Sequence, residues 1–259
     1  MSCVRSTIRE EGRLLELVLD RPKGNILDMA MMGELQAALA EHTANAHLRL
    51  VVLRGAGGHF SFGASVEEHH ATRAAQMLAT FHALCRQVAA YPVPVAALVD
   101  GQCLGGAFEL AICCHLVFAG PKAAFGCPEL KLGVFPPVLA AIGALRLGGA
   151  LAERLLLTGE SIDAETARRC GLVAQVFVEG DFGDALRNWF STHLAGKSAW
   201  ALRQAVQALR PSGTGLLEAL GAPLDRLERL YLDRIVTSHD GNEGLAAFSE
   251  RRQPVWEDR

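Results

Sequence analysis

Short apolar runs that read as strands alternate with amphipathic helical stretches over roughly the first 180 residues of this chain. Such alternation restricts the fold to α/β with mainly parallel pairing, because successive parallel strands need a crossover between them. The opening MSCVRSTIREEGRLLELVLD alternates like a strand pair, and the runs at 14–20, 48–55 and 95–101 predict further strands ended by proline or glycine. Helices are predicted over 27–41, where Leu27, Met31, Leu35 and Leu39 share one face, and over 71–91, which Pro92 and Pro94 stop. A short helix is expected over 105–114, short strands in HLVFAG and AAFG, helices over 139–147, 150–158 and 163–170, and a late strand over 172–178. From 181 to the end the pattern is helical. The expected organisation is a core over residues 1–195 and a helical region over 196–259.

Composition removes several classes of function. Half of the 259 residues are hydrophobic and a fifth are charged, which fits one globular unit with a generous core. The net charge is −3 and no long Lys/Arg run occurs, arguing against nucleic acid as the ligand. Charges interrupt every apolar window before about twenty residues, so no membrane span is expected. The N-terminus lacks the apolar core of a signal peptide, and seven cysteines, an odd number, lie in apolar segments. Reduced thiols used as small hydrophobes predict a cytoplasmic protein. Neither CxxC nor HExxH occurs, and the nine histidines are scattered, so no metal is expected.

Against this background two glutamates stand out. Glu109 lies in GGAFELAICC and Glu129 in AAFGCPELKLGVF, neither polar enough to solvate an ionised carboxylate. An unpaired buried charge is costly, and two carboxyls in one apolar cleft push each other apart in acidity, one serving as acid and one as base. Each has an ordinary explanation when taken alone. Glu109 near a helix start complements the dipole, and Glu129 after Pro128 caps a turn.

The segments FSFGAS (60–65) and GQCLGGAFE (101–109) each leave a strand through a glycine turn, and the second opens a helix. Glycine admits close backbone approach, and the first amides of a helix point outward. Two such turns converging would aim two N–H groups at one carbonyl oxygen, forming an oxyanion hole. Glu109 would then sit in the first turn of the element that supplies one donor.

RPKGNILD, HFSFGAS, VPVAALVDGQCLGGAFELAICCHLVFAG, FGCPELKLG, LLLTGESIDAETARRCGLV and EGLAAFSERRQPVW, in that order, resemble the crotonase, or enoyl-CoA hydratase, superfamily across nearly the whole chain. The resemblance implies an α/β spiral of ββα units with a helical C-terminal region used in trimer formation, giving a homotrimer or a dimer of trimers. It also implies an acyl-CoA substrate and no cofactor. Residue by residue, it makes Ala64 and Gly106 the oxyanion donors and Glu109 and Glu129 the catalytic acids. Keeping both acids favours hydration over hydrolysis, decarboxylation or dehalogenation. It places the CoA near Lys23, Asn25 and the edge formed by Ala64, Ser65 and Val66, with Phe248 and Arg251 as further candidates that a neighbouring subunit could supply.

Three departures narrow the substrate. Ser65 stands where the family usually has Asp, and Glu67 where a lysine is expected. After Glu129 the usual glycine-rich turn is replaced by FPPVLAAIGAL, putting Phe135, Pro136, Pro137 and Val138 beside the reacting water. Pro136 and Pro137 have no amide hydrogen, so any contact from this turn must come from elsewhere. PKGNILD, FSFGASVEEH and KLGVFPPV together are similar to the cyclohexa-1,5-diene-1-carbonyl-CoA hydratases of anaerobic aromatic degradation. That likeness implies hydration of the cyclic dienoyl thioester to 6-hydroxycyclohex-1-ene-1-carbonyl-CoA. The alternatives are an ordinary enoyl-CoA hydratase or isomerase for linear acyl chains, and a crotonase-fold protein that binds acyl-CoA or RNA without catalysis.

Overall fold

The chain winds so that each turn sends one strand into a large sheet and, a few residues later, a second short stretch into a smaller one. The computed structural model describes residues 2–177, 182–210 and 215–259. Its strands are β1 (Val4–Arg9), β2 (Leu14–Leu19), β3 (Leu50–Gly55), β4 (Val95–Val99), β5 (Gln102–Leu104), β6 (Leu116–Ala119), β7 (Ala124–Gly126), β8 (Ser161–Asp163) and β9 (Gln175–Val176). The large sheet runs β1-β2-β3-β4-β6-β9 and is parallel except for the β1/β2 hairpin. The small sheet runs β5-β7-β8, and parallel bridges Ser61–Cys103 and Leu27–Ala64 extend it toward the N-terminal turns. The winding is the α/β spiral of ββα turns that the sequence resemblance implies.

The helices are α1 (Met29–His42), α2 (Ala74–Ala89), α3 (Gly106–Cys113), α4 (Pro137–Leu147), α5 (Gly149–Thr158), α6 (Ala164–Arg169), α7 (Phe182–His193), α8 (Ala199–Leu209), α9 (Gly215–Ala219), α10 (Ala222–Leu230) and α11 (His239–Glu250). Helices cover both faces of the parallel sheet, so its strands are buried throughout and read as continuous apolar runs. Leu14, Val52 and Phe118 pack under Leu186 and Phe190 of α7, while Leu15, Leu17 and Leu53 face the larger core. The one charge inside β2, Glu16, is matched by Arg9, whose Nε donates to it at 2.8 Å. The C-terminal helices share the larger core, which takes in Leu220, Leu224, Tyr231 and Leu245.

Leu27 does not begin a helix as its spacing predicts. Its backbone bridges Ala64, and Asp28 caps α1 by accepting from the Met31 amide. The strands β5 and β8, three residues each, carry too little pattern for the sequence to reveal. The late strand shrinks to Gln175–Val176, with position 178 outside the described residues.

Candidate active site

α3 is the pivot of the site. Gly105 precedes it with a φ of +54°, a conformation that L side chains rarely adopt, and a Cβ there would lie 2.5 Å from Glu129 Oε1. Glycine is therefore required for Glu129 to pack against the start of α3. A Cβ built on the next residue, Gly106, would lie 3.4 Å from the Ala64 nitrogen, so the two turns singled out in the sequence do converge. Among the described residues neither the Ala64 amide nor the Gly106 amide donates to a protein acceptor. Two neighbouring free N–H groups, one at a helix N-terminus, form a site for an anionic oxygen.

One turn into α3, Glu109 is 3% exposed. Its Oε1 accepts from the Val138 amide at 2.7 Å and the Leu139 amide at 2.9 Å. Those donors belong to the first turn of α4, which Pro137 opens. Proline at that position has no N–H to waste and a φ already suited to the helix, so the Pro-Pro pair aims the next two amides at the carboxylate. Burial pushes the Glu109 carboxyl up to about 7, with the two amide bonds pulling the other way.

Glu129 sits in a 3₁₀ turn, Pro128–Leu132, at the mouth of the small sheet. Its Oε2 is buried without a hydrogen-bond partner. Burial, and next the nearby Glu109 charge, push this carboxyl up to about 8. Both acids are thus held near neutrality, and Glu129, whose contacts with its own backbone and the Cys127 thiol only partly offset burial and the Glu109 charge, holds its proton more tightly.

The two glutamates and both amide turns border one cavity of about 1070 Å³. Its inner walls are apolar, from Met77, Leu78 and Phe81 of α2 to Phe135, Pro136 and Pro137. Lys23, Ser65, Val66, Phe248 and Arg251 also line it, the last two from the same chain, and Lys131 and Arg252 add positive charge. The structure corrects two sequence-based placements. Asn25 does not reach the cavity: its amide nitrogen donates to the carbonyls of Ala56, His59 and Phe60, and its oxygen accepts from the Arg21 amide. Val138 is fully buried in the core and contributes only its amide. The sequence reading passed over Tyr231, which borders the cavity with its ring centroid 5.4 Å from that of Phe135. Nothing in its helical surroundings marks it out. Among the described residues no cluster of His, Cys, Asp or Glu is arranged to hold a metal, and no helix is long and apolar enough to cross a membrane.

Comparison with known proteins gives a consistent picture. The profile of the enoyl-CoA hydratase/isomerase family matches residues 9–259. The chain is 45% identical over 252 residues to the cyclohexa-1,5-dienecarbonyl-CoA hydratase of Thauera aromatica, covering 97% of this chain and 96% of that one. It is 33% identical over 258 residues to the 2,3-dehydroadipyl-CoA hydratase of Escherichia coli K12, covering 97% and 98%. Among solved structures, an enoyl-CoA hydratase from Mycobacterium avium subsp. paratuberculosis K-10 superimposes with a TM-score of 0.85 at 26% identity, covering 99% of both chains.

Proposed function

The chain belongs to the enoyl-CoA hydratase/isomerase family and is an acyl-CoA hydratase, and on that premise we propose that its acyl group is a conjugated ring. The reaction is hydration of cyclohexa-1,5-diene-1-carbonyl-CoA to 6-hydroxycyclohex-1-ene-1-carbonyl-CoA, as a step in anaerobic aromatic degradation. The observation that carries the chemistry is the unequal pair, amide-bonded Glu109 and Glu129 with its unpaired Oε2, in an apolar cavity with the free amides of Ala64 and Gly106. The 45% identity to the Thauera hydratase supports the ring, as does the stiff Phe135-Pro136-Pro137 wall.

Ala64 and Gly106 hold the thioester oxygen as it gains charge, which makes the ring carbon β to it electrophilic. Glu109, the stronger acid and so the one ionised near neutrality, takes a proton from water as its oxygen bonds to that carbon. The electrons move through the dienolate to the far alkene carbon, which takes a proton from Glu129, and the remaining double bond ends between the two sites. Glu109 then holds the extra proton and Glu129 the charge, and exchange between them restores the starting state. Water's oxygen and two proton transfers account for every bond made and broken, with no net oxidation or reduction, so the proposed reaction needs no cofactor. We place CoA along Lys23, Ser65 and Val66, with Phe248 and Arg251 as further contacts from the same cavity lining.

Assayed side by side, the cyclic dienoyl-CoA should exceed crotonyl-CoA in kcat/KM by roughly tenfold or more, the range a shaped apolar pocket can discriminate. In deuterium oxide the new C–D bond should appear at the ring carbon opposite the hydroxyl-bearing one. A preference for crotonyl-CoA, with deuterium next to the thioester, would establish the linear-chain reading instead. We further propose assembly through residues 196–259 as a trimer or a dimer of trimers. α8 supports this: Val206 is its only buried residue, while Trp200 and Leu209 are 71% and 76% exposed. A monomeric mass by light scattering would oppose it. Cytoplasmic residence is proposed on the seven free thiols, six of them buried.

A further inference from the structure

Tyr231 is one of two tyrosines in the chain and stands at the end of α10, where a π turn, Tyr231–Ile235, begins. Only 1% of it is exposed, and its hydroxyl is buried without a partner. A buried polar group left unpaired costs about 1–3 kcal/mol, so such a group in a cavity wall is a place to look for a ligand. Tyr91, the other tyrosine, is as deeply buried but donates to the Leu39 carbonyl at 2.9 Å. The ring of Tyr231 is fixed by Phe135 on one side and lies 6.4 Å from the His69 ring on another.

The same cavity holds a second unpaired atom, Glu129 Oε2. The phenol and this carboxyl are not hydrogen-bonded to each other. A group that both donates and accepts suits either atom, which describes a water molecule or an alcohol, and the Glu129 charge is close enough to act on the phenol. The thioester oxygen is not the candidate, because the Ala64 and Gly106 amides are already free to receive it. Burial first, then the charges of Glu129 and Glu109, keep the phenol protonated, so it remains a donor throughout the working pH range.

We propose that Tyr231 is a positioning residue whose hydroxyl hydrogen-bonds the oxygen added to the substrate, first as water and then as the product's hydroxyl. The inference rests on the hydratase reading above and names a further contact to the oxygen that Glu109 activates. It also gives the C-terminal helices a polar group in the site beside the lining that Ala247 and Phe248 supply.

Tyr231→Phe keeps the ring against Phe135 and removes one oxygen. The affinities of wild type and variant are measured for two pairs of thioesters: 6-hydroxycyclohex-1-ene-1-carbonyl-CoA against its deoxy analogue, and 3-hydroxybutyryl-CoA against butyryl-CoA. The variant should bind the hydroxylated member of the preferred pair about tenfold more weakly and the deoxy member as wild type does, which is the loss of one hydrogen bond. Its kcat should fall while KM for the unsaturated substrate, which carries no hydroxyl, stays within about twofold. Its Tm should not fall, because an unpaired buried hydroxyl has been removed. Equal weakening of both members, or of neither, would overturn the assignment and make Tyr231 a packing residue. Wild-type protein that hydrates neither the cyclic dienoyl-CoA nor crotonyl-CoA would remove the hydratase reading, and this inference with it.

Discussion

The two walls of the cleft treat their carboxylates in opposite ways. On the α3/α4 wall Glu109 is held by two backbone amides from a helix start that proline pre-shapes. On the wall built by the 3₁₀ turn, Glu129 has nothing bonded to Oε2 and leans on a glycine that has no side chain to obstruct it. Amides stabilise a charge and bare burial stabilises a proton, so the walls are suited to a base and an acid respectively. Two identical side chains thereby acquire different acidities from their surroundings.

Removing either ionisable group is the harshest way to break this contrast. Glu109→Gln and Glu129→Gln should each lower kcat by a factor of about 100 or more, the usual size of acid–base effects. Glutamine retains an oxygen for the Val138 and Leu139 amides, so E109Q should keep its fold by circular dichroism. Near-wild-type turnover in both variants would end the assignment.

Replacing Phe135–Val138 with a glycine-rich turn perturbs one wall only. It frees the start of α4, loosens the amides on Glu109 and removes the stiff Phe135-Pro136-Pro137 face of the cavity. The ratio of cyclic to linear kcat/KM should fall by roughly tenfold, within the range pocket contacts supply. An unchanged ratio would make the turn a packing element.

The smallest effect is on stability. Both carboxyls titrate higher in the folded state than the ordinary value near 4.5, so the folded protein binds more protons than the unfolded chain between that value and about 7–8. Stability from this source is fully present below that window and falls as pH rises through it, because two buried groups must ionise. Denaturant unfolding at pH 5 and pH 9 should show wild type losing more than E129Q over that interval. Equal slopes would mean that Glu129 is not held protonated by the fold.

Much of this was legible in the sequence, and what was not has physical reasons. Continuous apolar runs such as 14–20 and 95–101 locate parallel strands because burial on both faces leaves no alternation to misread. Glu109 and Glu129 were visible because charge is conspicuous in an apolar segment. β5 and β8 were not, being three residues long and set by pairing with β7. Leu27 has helical spacing yet joins a bridge, since Asp28 makes a better cap than Leu27 makes a first turn. Asn25 lies close in sequence to Lys23, but its side chain is spent on holding three carbonyls. Tyr231 belongs to the site through tertiary packing alone, which no local pattern encodes.

The division of labour between the walls is tested most directly by the pH dependence of kcat/KM for the preferred substrate. The proposed mechanism needs Glu109 ionised and Glu129 protonated, and as a coupled pair they titrate in two steps belonging to both. The account predicts a narrow bell, its acidic limb near 7 and its basic limb near 8, with activity falling about tenfold per pH unit outside them. A profile that stays flat from pH 6 to pH 9 (roughly the span over which both groups titrate) would contradict it.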